Sequence, residues 1–273
     1  MSNNINNGLA PKPTYLAERH MEGQRLAYYL DSADANYWDN HWRSYLSPQI
    51  YNDPENGYLD EYEGVFTRYL PKNGLIIEAG CGMGQYVLAL QSRGYSIEGV
   101  DWSEETVAAV KSIRVDLPIR AGDVTKLDVP DSFYAGYISL GVMEHRHEGP
   151  EPFLREAHRV LAPEGIALIS VPYINPLREI KASMGLYRGN PYGLEFYQYA
   201  YRYSEFKSIL EQFGFRVMGV KRLSVRKGVK DEVKFVRDGL ERRNWFGNKL
   251  EQILRSSFLN QFGHMIMLVA RRS

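Results

Sequence analysis

Between residues 72 and 220 short apolar runs alternate with amphipathic stretches, and the periods of the two differ. Leu75-Ile76-Ile77 reads as a buried strand, and Gln85 to Arg93 as a helix closed by Gly94. Ser96 to Val100 is a second strand ending in Asp101. Ser103 then caps a helix whose first turn carries Glu104 and Glu105, acids that suit a helix N-terminus. Pro118 to Ala121 and Phe133 to Leu140 are further strands. Leu154, Ala157, Val160 and Leu161 mark one helical face, and Pro163-Glu164-Gly165 turns the chain into a fifth strand, Ile166–Val171. Phe206, Ile209, Leu210 and Phe213 form another helical face ended by Gly214, and Phe215–Val220 and Met265–Ala270 are two closing strands. Strand and helix alternating at this spacing predict a parallel α/β sheet with helices on both faces.

Three regions fall outside that rhythm. Residues 1–14, asparagine-rich with Pro11 and Pro13, read as a disordered tail, and residues 15–70 as aromatic-rich helical patterning. Residues 172–203 interrupt the sheet after its fifth strand, and residues 222–262 separate the last two strands. The expected division is a tail and helical lid over 1–65, then a single domain over 66–273 with those two inserts.

Totals narrow the function. Lysine plus arginine equals aspartate plus glutamate, 33 each, which argues against bulk phosphate recognition and hence against a nucleic-acid partner. One cysteine, Cys81, excludes an intramolecular disulfide and a zinc cluster built from cysteines, and fits a reducing compartment. The polar N-terminus has no secretory pattern, and no stretch approaches the roughly 18–20 apolar residues that span a bilayer. A cytoplasmic location is the expectation.

The chemistry centres on Glu78-Ala79-Gly80-Cys81-Gly82-Met83-Gly84-Gln85, set between the first strand and the first helix. Glycines there let the backbone turn sharply and approach a ligand at a helix N-terminus. The spacing is acidic-x-Gly-x-Gly-x-Gly. Counted from Gly80, the third glycine of a dinucleotide loop would fall on Gln85. Asp101 closes the second strand, where a carboxylate can accept ribose hydroxyls, and Gly122-Asp123-Val124 closes the third, where one can receive an adenine amino group.

In these residues the chain resembles the class I S-adenosylmethionine-dependent methyltransferases. Glu78 to Gln85 is similar to the family's first motif and Gly99-Val100-Asp101-Trp102-Ser103 to its second. Gly122-Asp123-Val124 is similar to its adenine-contact segment. Ser139 to His145 resembles the segment after the fourth strand, and Arg159 to Gly165 the turn into the fifth. The resemblance covers roughly residues 65–220 plus the last strand. It implies a Rossmann-like seven-stranded sheet whose last strand is antiparallel, with S-adenosylmethionine as donor. By that likeness Glu78 stands near the donor's amino end, Gly80 and Gly82 give backbone contacts, and Gln85 closes the donor-binding set. Asp101 takes the ribose, Trp102 packs on adenine, Asp123 and Val124 hold the base, and Leu140 and Gly141 flank the sulfonium. Cys81 reads as a small residue in a tight loop.

Methyl transfer to a hydroxyl also needs a base. His145, at the carboxyl edge of the fourth strand, is the candidate, with a structural role in the loop as its alternative; His147 and Glu148 are seconds. Glu144-His145 resembles a feature of metal-assisted methyltransferases of quinone biosynthesis, but no aspartate completes an oxygen-rich set, so no metal is expected.

Of the twenty tyrosines, most of those outside the sheet lie before residue 63 or in 172–203, which predicts a lid walling an acceptor pocket. The acceptor expected is a small molecule, a sugar-like or secondary-metabolite hydroxyl. Residues 222–256 hold ten basic and five acidic residues and apolar helical faces. They read as a helical hairpin packed on the domain or on a second subunit, with peripheral membrane contact as the other reading. Two functional alternatives stay open: an NAD-dependent oxidoreductase, and a non-catalytic regulatory protein that binds S-adenosylmethionine.

Overall fold

A computed structural model describes residues 17–33, 37–38, 42–43, 45–241, 245–254 and 256–273. The tail expected over residues 1–14 lies outside the described residues.

The chain opens with strands β1 (Glu18–Glu22) and β2 (Arg25–Leu30), followed by short helices α1 (Asn52–Glu55) and α2 (Glu63–Tyr69). Then come β3 (Ile76–Ala79), α3 (Gln85–Ser92), β4 (Ile97–Asp101), α4 (Glu104–Ile113), β5 (Ile119–Ala121) and β6 (Tyr134–Leu140). They are followed by α5 (Glu151–Val160), β7 (Leu161–Pro172), α6 (Pro176–Ser183), β8 (Glu195–Ala200), α7 (Tyr203–Gln212) and β9 (Phe215–Leu223). Three helices, α8 (Val225–Lys230), α9 (Lys234–Glu241) and α10 (Trp245–Leu254), precede the final strand β10 (Met265–Arg272).

Seven strands form the main sheet in the order β5-β4-β3-β6-β7-β10-β9. β3, β4, β5, β6 and β7 pair in parallel, and β10 runs antiparallel to both β7 and β9, as the family resemblance implies for the last strand. The order reverses at β3, which places a crevice beyond the carboxyl ends of β3 and β6, the usual ligand position in such sheets. Both faces are covered, so the strands read as nearly continuous apolar runs. One face packs Leu154, Ala157 and Val160 of α5 and Phe206, Ile209 and Leu210 of α7. The other packs Phe66 of α2, Val87, Leu88 and Leu90 of α3, and Val107 and Val110 of α4. Ser103 caps α4 as its position suggests, its side chain accepting from the Thr106 N–H. The Pro163-Glu164-Gly165 turn is absorbed into β7 as a bulge, where the register against β6 jumps from Tyr134–Leu161 to Gly136–Ile166.

The front segment departs from expectation. Residues 18–30 form an antiparallel hairpin, not a helix, and its strand β2 pairs with β8 from the first insert to make a separate sheet, β1-β2-β8. Helical structure appears later, in α1 and α2. The two-residue connection explains the hairpin: Glu22 pairs with Arg25 across Gly23-Gln24, and Gly23 takes φ 59°. The two tyrosine-rich segments, about 170 residues apart in sequence, thus build one roof.

A buried ion cluster ties this roof down. Glu232, just after α8, accepts from Arg19 of β1 (2.7 Å), Arg178 of α6 (3.0 Å), Lys181 of α6 (2.9 Å) and the Tyr187 hydroxyl (2.8 Å). Burial opposes its charge, but the cations Arg178, Arg19 and Lys181 outweigh burial and hold the carboxyl down to about 2. The excursion between β9 and β10 packs Val229, Leu240 and Leu254 into a small core with Leu177 of α6. Phe235 and Trp245 stay exposed. Among the described residues no helix is long and apolar enough to cross a membrane.

Candidate functional site

The glycine loop follows β3 and is held open by its own backbone. Gly80 takes φ 82°, and a Cβ there would lie 2.3 Å from the Val142 Cγ2, so neither the conformation nor the space admits a larger residue. Asp101, at the end of β4, fixes the loop from the side: its Oδ2 accepts from the Gly82 N–H at 2.7 Å and its Oδ1 from the Ser103 N–H at 3.1 Å. Both carboxylate oxygens thus brace the loop and the turn into α4. The front segment grips the same loop. The Tyr51 hydroxyl donates to the Met83 carbonyl at 2.9 Å, the Gln85 amide donates to the Ile50 carbonyl at 3.3 Å, and the Trp42 ring lies over Gly82.

A cavity of about 800 Å³ opens beyond these strand ends. Every donor-binding residue named from the sequence lines it: Glu78, Gly80, Gly82, Gln85, Asp101, Trp102, Asp123, Val124, Leu140 and Gly141. Trp102 is half exposed at the rim, presenting an indole to whatever enters. Asp123 is oriented by Thr125, whose N–H and hydroxyl both bond its Oδ1. Cys81 is buried against Gly99, and burial pushes its thiol well up, which leaves it protonated and unreactive.

Glu78 and Glu144 are the unusual groups. Glu78 is almost fully buried, and its Oε2 has no hydrogen-bond partner among the described residues. Burial, reinforced by the charge of Asp101, pushes its carboxyl up to about 8. Glu144 lies in a one-turn helix, Met143–His145, after β6. It too is buried, with an Oε2 lacking a partner among the described residues, and burial pushes it up to about 8.

His145 stands between Glu144 and the roof. Its Nδ1 lies 2.6 Å from the Tyr197 carbonyl oxygen, which only accepts, so Nδ1 carries the proton and Nε2 is the acceptor nitrogen of the neutral ring. Nε2 is 3.9 Å from Glu144 Oε1. The ring is packed by Trp38 at 4.6 Å and Tyr197 at 5.0 Å. His147 also lines the cavity but is drawn towards the roof, 3.4 Å from Glu22 and against Phe196. Glu148 lines the rim, 3.4 Å from Arg146. Among the described residues no group of three or more metal-ligating side chains assembles.

Residues 77–169 match the family model described as a methyltransferase domain. Over those residues, about a third of its length, the chain is similar to methyltransferase domains. A relative from Mycolicibacterium smegmatis, named "Probable S-adenosylmethionine-dependent methyltransferase", is 31% identical over 120 residues, which is 43% of this chain and 46% of that one. The chain thus spans less than half the length of the curated relatives it matches. Among solved structures, a phosphoethanolamine N-methyltransferase of Haemonchus contortus in complex with S-adenosylmethionine superposes with a TM-score of 0.56 at 14% identity, over 93% of this chain and 70% of that one. A structure titled as the [4+2]-cyclase SpnF superposes at 0.52 with 16% identity, over 95% and 88%. Likeness at such identities is one of fold, and the cyclase shows that this fold hosts more than one chemistry.

The sequence overlooked the roof's contribution. Phe196 and Gln198 of β8 line the cavity beside Tyr197, which the tyrosine pattern had singled out. Gln198 carries no motif. Only its pairing on β2 reveals it.

Proposed function

We propose that this protein transfers a methyl group from S-adenosylmethionine to a hydroxyl of a small molecule, with a sugar-like or secondary-metabolite ring as acceptor. The observation that carries the reading is one cavity with carboxylates at three successive strand ends, Glu78, Asp101 and Asp123, and a histidine at the fourth. The residues fit the donor. Glu78 offers a buried oxygen lacking a partner among the described residues, suited to the donor's amino group. Asp101 lines the cavity at the end of β4, where a carboxylate can accept from ribose hydroxyls, and Trp102 gives a flat face at the rim for adenine.

The donor, when bound, supplies an already activated methyl group on a sulfonium. What remains for the chain is positioning, which can contribute about 7–11 kcal/mol, exclusion of water, and removal of one proton. Trp38 and Trp42, with Phe196, Tyr197 and Gln198 of β8, line the same cavity as Leu140 and Gly141. His145 Nε2 would accept the hydroxyl proton as the acceptor's oxygen takes up the methyl group that the bound donor would supply. The Tyr197 carbonyl, bonded to Nδ1–H, stabilises the imidazolium that results.

Calorimetric titration with S-adenosylmethionine, S-adenosylhomocysteine and NAD tests the cofactor: the two sulfur nucleosides should bind and NAD should not. His145→Ala should keep S-adenosylhomocysteine affinity and lower kcat by about 10²–10⁴. Equal loss of nucleoside affinity in that variant would assign His145 to the donor pocket.

A further inference from the structure

The acceptor end of the cavity holds two polar groups that the donor and the base leave unused. Glu144 and Gln198 are 2% and 4% exposed, both line the cavity, and Glu144 Oε2 and Gln198 Nε2 each lack a hydrogen-bond partner among the described residues. They sit on elements packed together, since the carbonyl of Tyr197, one residue before Gln198, bonds the residue after Glu144. A buried polar atom is almost always satisfied in a folded protein, by solvent until a ligand replaces it. Two such atoms lining one cavity, one an amide donor and the other a carboxyl, are complementary to an oxygen that both accepts and donates.

We propose that Glu144 and Gln198 form a second polar subsite beside His145, which holds an oxygen on the ring carbon next to the one being methylated. The acceptor is then an uncharged ring with two vicinal oxygens. This rests on the methyltransferase reading and adds to it the acceptor's chemistry. The walls agree. Trp38, Phe196 and Tyr197 line the cavity, so aromatic surface is available to a ring. Arg146, the one arginine lining this end among the described residues, lies 3.4 Å from the Glu148 carboxylate. A carboxyl held neutral by its burial suits a hydroxyl, to which it can donate.

The test uses protein saturated with S-adenosylhomocysteine and three probes of one ring size: cis-1,2-cyclohexanediol, cyclohexanol and cyclohexylamine, titrated by ligand-observed NMR. Nucleoside binding is measured first, so that its failure, which refutes the donor reading, is seen separately. The diol should bind at least about tenfold more tightly than the mono-ol. Gln198→Leu should bring the diol down to the mono-ol and leave the mono-ol and the nucleoside unchanged, a pattern that general loosening of the wall would not give. Glu144→Gln, which keeps the shape, should also narrow the gap; if it does not fold, Gln198→Leu decides. Equal binding of diol and mono-ol overturns the proposal. So does tightest binding of cyclohexylamine, lost in Glu144→Gln, which would make Glu144 a cation site.

Discussion

Asp101 is the most informative single residue to remove, because it serves the loop and the ligand at once. In Asp101→Ala the N–H groups of Gly82 and Ser103 lose their acceptor. A hydrogen bond to a charged group contributes roughly 1.5–3 kcal/mol, so up to about 3–6 kcal/mol of loop organisation is removed. The loop borders a large cavity, and water recovers part of that. A net loss of about 2–4 kcal/mol corresponds to a fall in Tm of roughly 5–15 °C for a chain of this size. Donor binding suffers separately. Two ribose hydroxyls deprived of a carboxylate lose a similar 3–6 kcal/mol, which is about 10²–10⁴ in Kd. The assay is calorimetric titration with S-adenosylhomocysteine, run well below both melting points so that folding and binding do not mix. Asp101→Asn is the control, because one amide oxygen keeps part of each role and should give intermediate values on both axes. A Kd within tenfold of the unmutated protein in Asp101→Ala, with or without a drop in Tm, would show that the carboxylate only braces the loop.

The remaining predictions come from buried charge. Glu78, held near 8 by burial and Asp101, is protonated in the ligand-free protein at neutral pH, whereas in the role proposed for it the form that pairs with an ammonium is the carboxylate. Affinity for S-adenosylmethionine should therefore rise from pH 6 to pH 8.5 with proton release, and Glu78→Gln should flatten the profile; a flat profile in the unmutated protein refutes this role. Because the folded-state pKa is raised, the folded protein holds the extra proton between about 4.5 and 8. Ligand-free stability should thus be greatest at the acid side of that window and fall as pH rises through it, Glu144 adding the same sign. Glu232 runs the other way: its carboxyl, held at about 2, stabilises the fold above about 4.5 and loses that contribution as pH falls towards 2. Glu232→Gln strands the buried Arg178 and should cost about 3–5 kcal/mol, a fall in Tm of roughly 10 °C by scanning calorimetry. A fall under about 2 °C would mean that the cluster does not hold the roof.

The sheet and its ligand loop were legible in the sequence because they obey local rules. Parallel strands buried on both faces give unbroken apolar runs, and their carboxyl ends carry the acids, so Glu78, Asp101 and Asp123 could be placed by counting. The roof obeys no such rule. In Arg25-Leu-Ala-Tyr-Tyr-Leu30 the consecutive residues Leu26, Ala27 and Tyr28 are all buried, since β2 is covered on both faces, and a short apolar run of that kind cannot be told from a helix segment by period. Gly23-Gln24, at the length and composition of a tight hairpin turn, was the one local cue, and it says nothing of β8, the partner about 170 residues away. The same holds for chemistry. Glu144 adjoins a histidine and drew attention only as half of a metal motif, yet its character comes from burial beneath β8. Gln198 drew none, because a glutamine among tyrosines has no signature. Both acquire meaning only when non-local pairing brings β8 down on the turn after β6. The proposed donor-binding part of the site is therefore written along the chain, and the proposed acceptor-selecting part is written across it. Acceptor choice in this protein should accordingly respond to changes in β2 and β8 that leave every sequence motif intact.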